Sequence, residues 1–313
     1  MANKSTAKSK VTKAANGVAN GHAANGTETR LDIQKTYKLY IGGQFPRTES
    51  GRYFKLKDAS GNVMANMCRG SRKDFRNAVK AARGAFKGWK SKTAYNRGQI
   101  LYRVAEVMEG RRIQFVAELQ QQGATQAAAN AEVTNAIDRM VYYAGWADKY
   151  QQIFSSVNPV AASYFNFSMC EPTGVVAVMC PSDTGLIGMV STIVPAICGG
   201  NTVVALASDQ KPLCAITFAE VLNASDVPGG VVNLLTGHQD ELAGHFSSHM
   251  DVNSIVYCEN DKDTIKSIQE NSTGNLKRVH FYRNKDWKGA DGQSPYFILD
   301  QQEIKTTWHP VGV

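Results

Sequence analysis

Residues 174–206 read GVVAVMCPSDTGLIGMVSTIVPAICGGNTVVAL, and this stretch decides the fold. Val175–Met179 is apolar on both faces, and so is most of Thr202–Leu206. Between them, residues 185–198 are long enough for a helix, closed by Gly199-Gly200. Two such strands joined by one helix point to a parallel pair covered on both sides. The alternation continues downstream through helix 213–223, strand Val231–Leu235, helix 239–248, strand Ser254–Tyr257 and helix 261–270. Right-handed crossovers then give an α/β fold: a Rossmann-like parallel sheet with helices on both faces.

Upstream the texture is different. Tyr37–Ile41, Gly42-Gly43 and Gln44-Phe45 read as strand, tight turn and return strand. Residues 71–92 place Phe75, Val79, Ala82, Phe86 and Trp89 on a 3.6 period behind Ser71 as N-cap. Further helices are expected over 95–120 and 131–152. Pro159–Pro172 encloses Ala161–Met169, an extended strand that reads as a projecting β arm over about 155–172. Residues 1–35 are Ala, Asn, Lys, Gly, Ser and Thr with little that is apolar, so they are expected to be a disordered basic tail. The folded domain is expected over 36–280, followed by a C-terminal extension over 281–313.

Composition excludes several roles. With 43% hydrophobic residues among 313, the chain can bury a full core. No apolar run approaches the ~20 residues that cross a bilayer, so no membrane is expected. The formal charge of +8 is half contributed by Lys4, Lys8, Lys10, Lys13 and Arg30 against Glu28, leaving +4 for the rest. No basic stripe interleaved with aromatics stands out, so no nucleic acid is expected as partner. Cys68, Cys170, Cys180, Cys198, Cys214 and Cys258 form no CxxC pair and mostly lie in apolar stretches. They read as reduced core thiols of a cytoplasmic protein. His245 and His249 could share one helical face, but no third ligand accompanies them, so no metal is expected.

Several motifs carry a family resemblance. They run in order from Tyr142-Tyr143-Ala144-Gly145-Trp146-Ala147-Asp148-Lys149 through Gly174-Val175-Val176 and Pro195-Ala196 to Gly199-Gly200-Asn201-Thr202-Val203-Val204. Pro228-Gly229-Gly230-Val231-Val232-Asn233, Thr236-Gly237 and His249-Met250-Asp251-Val252 follow. In order and spacing over 37–279, and again at Ser294-Pro295-Tyr296-Phe297-Ile298, the chain resembles the nucleotide-binding, N-terminal domain of aldehyde dehydrogenases. It looks most like the degenerate second module of the two-module (family 16) members.

The resemblance also implies where function should sit, and there this chain departs from the family. After Pro181, where the family carries an oxyanion-holding Asn, stands Asp183; a carboxylate repels developing negative charge. Leu206 replaces the Lys that holds the adenosine ribose, although the acidic partner survives as Asp209. Glu259 and its acidic neighbours replace a glycine-containing turn that cradles pyrophosphate. Tyr282 stands at the position of the general-base Glu, and a phenol titrating near ~10 is a poor base at neutral pH. The nucleophilic Cys would lie in a catalytic domain expected to be absent from this chain.

The expectation is therefore a pseudoenzyme: a non-catalytic aldehyde-dehydrogenase-family subunit. It would stabilise or regulate a full-length NAD(P)-dependent aldehyde dehydrogenase in a hetero-oligomer, with no cofactor of its own. The alternative is the NAD-binding half of a split aldehyde dehydrogenase that oxidises aldehydes to acids, with NAD(P) bound.

Overall fold

In chain order, the computed structural model contains β1 (Tyr53–Lys57), β2 (Val63–Cys68), α1 (Arg72–Lys90), α2 (Ala94–Gly110), α3 (Arg112–Gln121), α4 (Gln126–Trp146) and α5 (Tyr150–Phe154). Then follow β3 (Ser156–Asn158), β4 (Tyr164–Pro172), β5 (Val175–Met179), α6 (Ile187–Cys198), β6 (Thr202–Leu206), α7 (Leu213–Asn223) and β7 (Val232–Leu235). The chain continues with α8 (Gln239–Ser248), β8 (Ser254–Tyr257), α9 (Lys262–Ser272), β9 (Arg278–Phe281), α10 (Tyr296–Leu299) and β10 (Gln302–Pro310). It describes residues 35–312, so the tail expected over 1–35 lies, up to Gln34, outside the described residues.

The sheet order is β7-β6-β5-β8-β9, parallel throughout. Every residue of β5, β6, β7 and β8 is buried, as expected of strands covered on both faces. Side chains divide by the period of two. Val176, Val178, Val203 and Ala205 pack with residues of α2, α4, α6 and α7. Val175, Ala177, Met179, Val204 and Leu206 pack with residues of α1 and α8. This is the doubly wound α/β layer that the apolar runs imply.

Local signals explain most boundaries. Ser71 accepts from the Asp74 amide, and the Asp74 carboxylate accepts from the Ser71 amide, a reciprocal cap on α1. Gly42 and Gly43 take φ of 62° and 80° between the bridged pair Ile41 and Gln44, which is the backbone a two-residue hairpin turn requires. Two helix expectations need correction. The helix expected over 95–120 is two, because Arg111 (φ −108°, ψ 14°) breaks the path between α2 and α3. The helix expected over 131–152 begins earlier, behind the Thr125 cap, and ends at Trp146 before the short α5. Strand β9, the hairpin β1–β2 and β10 had no counterpart among the expected elements.

The arm is a three-stranded antiparallel sheet, β10-β4-β3. Its outer strand β10 comes from the region read as an extension. Between β9 and β10 the chain crosses the α4–α6 layer. Buried Arg139 donates to Ser191 Oγ and to the carbonyls of Trp287 (2.6 Å each) and Gly289 (3.2 Å). Tyr143 Oη donates to Ser294 O. Gln301 O receives Asn201 Nδ2 at 2.9 Å, and Gln301 Oε1 receives Ser254 Oγ at 2.6 Å. Lys35, assigned to the tail, reaches Thr217 Oγ1 at 2.7 Å and pairs with Glu118 and Glu220. Among the described residues no helix is long and apolar enough to cross a membrane.

Candidate nucleotide crest

In a doubly wound sheet, ligands bind beyond the carboxyl ends of the strands, where loops meet helix N-termini. Here that crest is built from residues 180–186 after β5, 207–211 after β6, 258–261 after β8 and 282–284 after β9. The structure brings five of the six residues singled out in the sequence to these loops: Pro181, Asp183, Asp209, Glu259 and Tyr282. Leu206 ends β6 instead.

Glu259 reaches across from the β8 loop, and its Oε1 accepts the Ser182 backbone amide at 2.7 Å. Ser208 Oγ donates to Ser182 O at 3.0 Å and accepts the Lys211 amide at 3.0 Å, while Lys211 Nζ donates to Asp183 O at 2.6 Å. Gln239, the first residue of α8, donates its side-chain amide to Cys180 O at 3.0 Å. These loops are thus tied to one another by their own polar groups. The Asp183 carboxyl is pushed up by partial burial and then by the charge of Glu259, the shift expected of two carboxylates that share a crest.

Two of the helix N-termini at this end, those of α6 and α9, are also occupied from within. Glu132 on α4 is buried, and its Oε1 accepts the amides of Gly185, Leu186 and Ile187 at 3.0, 2.8 and 3.3 Å. It satisfies three of the open donors at the start of α6. Asp261 caps α9, with Oδ2 accepting the Thr264 amide at 2.8 Å, and that hydrogen bonding holds its carboxyl below the usual range.

The remaining positions resolve as follows. Leu206 ends β6 fully buried in the sheet core, with an aliphatic side chain and no charge to offer a ribose. Asp209 is half-buried just beyond it. Pro181 is buried against the first turn of α6, where a Cβ on Gly188 would meet it. Tyr282 is buried, donates to Asp300 Oδ2 at 2.6 Å and packs on Phe297 and Trp287. Burial and the adjacent Asp300 carboxylate push its phenol well above the ordinary value.

All six cysteines are buried and unpaired; desolvation pushes Cys180 and Cys198 up to about 12. That leaves them protonated and unreactive at neutral pH. His249 ends α8 and accepts the Asp251 amide on Nδ1 at 3.2 Å, edge-on to Phe75. No group of three metal-ligating side chains occurs among the described residues. Asn201 and Asn233, prominent in the quoted motifs, are buried and hold loops. Asn201 Oδ1 accepts the Gly174 amide at 2.9 Å, and Asn233 Oδ1 accepts the Gly42 amide at 2.9 Å. A cavity of about 510 Å³ lies elsewhere, lined by residues of α2 and α4 such as Tyr95, Tyr102 and Val141.

Glu132, Ser208, Lys211, Gln239 and Asp300 were not singled out in the sequence. Only Glu132 carries a local signal there, as an acid beside Val133 on the apolar face of its helix. The others act through partners brought near by folding.

A parallel five-stranded layer with this crest defines a nucleotide-binding-type α/β protein. The aldehyde dehydrogenase family model matches residues 45–307, and the chain belongs to that family. It is 33% identical over 259 residues to the cytosolic 1 aldehyde dehydrogenase of Elephantulus edwardii, covering 80% of this chain and 50% of that one. It is 32% identical over 284 residues to human aldehyde dehydrogenase 1A1, covering 88% and 54%. Among solved structures, it resembles an aldehyde dehydrogenase from Bacillus cereus in its NAD+ complex, with a TM-score of 0.75 and 26% identity over 80% and 51% of the two chains. A second likeness is to an aldehyde dehydrogenase described as putative, from Burkholderia cenocepacia (TM-score 0.76, 28% identity, 80% and 51% covered). The chain spans about half the length of the relatives it matches.

Proposed function

We propose that this chain is a degenerate nucleotide-binding module of the aldehyde dehydrogenase family that serves as a non-catalytic subunit. It stabilises or regulates a full-length NAD(P)-dependent aldehyde dehydrogenase in a hetero-oligomer, in the manner of the second module of the two-module members. The observation that carries this reading is the Glu259 carboxylate on the Ser182 amide.

The residues present do not fit a dinucleotide. A pyrophosphate needs open backbone amides and positive charge at the crest. Here the Ser182 amide is taken by Glu259, the Thr264 amide by Asp261, and Asp183 adds a further carboxyl. A cytoplasmic setting agrees with the six buried thiols.

The partner is met on the arm. Phe165, Met169, Val157, Ile304 and Trp308 are all exposed there, and β10 is the outer strand of a short sheet. Exposed apolar side chains on a sheet with an open edge suit association with another chain.

The second reading, an NAD-binding half of a split aldehyde dehydrogenase, is favoured by the likeness to a relative solved with NAD+. Titration calorimetry with NAD+ separates the two. No heat of binding is expected, and micromolar affinity overturns the non-catalytic reading in favour of the second. Native mass spectrometry of the chain purified from its own cells tests the partner. The expected mass is this chain plus a full-length aldehyde dehydrogenase, whereas a lone chain overturns the association.

A further inference from the structure

Helix α1 carries a charge pattern that neither the fold nor the crest explains. Its 19 residues hold seven Lys and Arg against one acid, the buried Asp74. At 3.6 residues per turn, all seven cations fall within an arc of about 100°, along roughly 27 Å of helix. Lys73, Arg83 and Lys90 pair with Glu49, Asp251 and Glu171. Arg72, Arg76, Lys80 and Lys87 are exposed and make no ion pair among the described residues.

Much of the arrangement opposes helix stability, although Lys87 and Lys90 suit the last turn. Cations in the first turn oppose the positive end of the macrodipole. Arg72 and Arg76, Arg76 and Lys80, and Arg83 and Lys87 are like charges at i, i+4, each pair unfavourable.

A second observation is independent of charge. Gly84 and Gly88 are exposed in the helix interior, and a Cβ added to either would meet nothing within 4 Å. Neither has the positive φ that requires glycine. Each weakens the helix relative to alanine, and nothing among the described residues needs the space. The two lie one turn apart, just beside the cation arc, leaving a strip where another backbone can come close.

We infer that this face of α1 docks an acidic α-helix of a partner protein, its carboxylates on the cation arc and its backbone over Gly84 and Gly88. The inference goes beyond the proposed subunit role and does not rest on it. Cations spaced alternately by three and four residues match the carboxylates of a helix with acids at i, i+3, i+4 and i+7, because both share one pitch. The same face of a second copy of this chain would bring like charge to like. The apolar side of α1 (Phe75, Val79, Ala82, Trp89) is buried in the core, so the helix cannot enter a bilayer as interfacial helices do. The arc itself contains no aromatic side chain on which bases could stack.

The test uses the full chain and a fluorescent peptide of about twenty residues, designed as a helix with glutamates at that spacing. Its comparator has the same composition, with the helix broken by D-residues. Anisotropy should show salt-sensitive binding of the helical peptide, with the broken one weaker. R76E/K80E/K87E and the uncharged G84L/G88L should each weaken binding by about tenfold or more. G84L/G88L should also melt no lower than the parent, which separates lost docking from lost folding. Equal binding of both peptides, or undiminished binding by G84L/G88L, overturns the proposal. Tighter binding of oligothymidylate or of phosphatidylserine vesicles overturns it as well.

Discussion

Glu259 and Ser182 stand 77 residues apart in sequence, yet the carboxylate of one accepts the backbone amide of the other at 2.7 Å. The contact closes the gap between the ends of β5 and β8, where an anion would otherwise find a donor. The chain supplies its own negative charge there, and the neighbouring Asp183 carboxyl is pushed up, chiefly by burial and further by the Glu259 charge.

Removing that internal charge should partly reopen the crest. The double variant Glu259→Ser with Asp183→Asn frees the Ser182 amide and deletes two carboxyls. Calorimetry should then detect tighter NAD+ binding than in the parent. No gain at any NAD+ concentration would mean that Glu259 and Asp183 do not oppose dinucleotide binding.

Arg139→Met should destabilise the chain by about 3 kcal/mol, because it strands buried acceptors at Ser191, Trp287 and Gly289. Arg139→Lys should recover little of this, since an ammonium cannot reproduce the planar fork. Urea unfolding would read the loss as a lower midpoint at unchanged slope.

Alkaline pH should weaken the fold. Burial raises the folded pKa of Cys180 and Cys198 to about 12, and it raises those of Cys214, Cys258 and Tyr282 well above their ordinary values. A raised folded pKa contributes stability that is fully present below the unfolded value and lost as pH rises. With unfolded thiols near ~8.5 and phenols near ~10, stability should fall from about pH 8.5 upward. Thermal melts from pH 7 to 11 check this. A thiol reagent should label none of the six cysteines in the native chain and all six after unfolding.

On the arm, Phe165→Ser with Trp308→Ser should weaken association with the proposed aldehyde dehydrogenase partner by about tenfold or more. The isolated chain should melt almost as before, because both side chains are largely exposed. Sedimentation velocity of the mixed chains would show it.

The sequence by itself determined the layer. Val175–Met179, Thr202–Leu206 and Ser254–Tyr257 are short apolar runs separated by helix-length segments, and all three form buried parallel strands where expected. Periodicity is a local property, so one chain suffices to read it. The cap at Ser71 and the Gly42-Gly43 turn were legible for the same reason. Asp183, Leu206, Glu259 and Tyr282 were picked out there through the family resemblance of their motif neighbours. The cations of α1 were equally present in the sequence, but averaging charge over the folded part concealed their alignment on one face.

Only the tertiary structure decided what those residues touch. That Tyr282 meets Asp300, that Glu132 caps α6 from α4, and that β10 returns to pair with β4 depend on partners 18 (Asp300 to Tyr282) to 146 (Pro310 to Tyr164) residues away. No local pattern encodes such pairings. They follow from which surfaces the packed helices and sheet bring together, and from the cost of leaving a buried donor or acceptor without a partner.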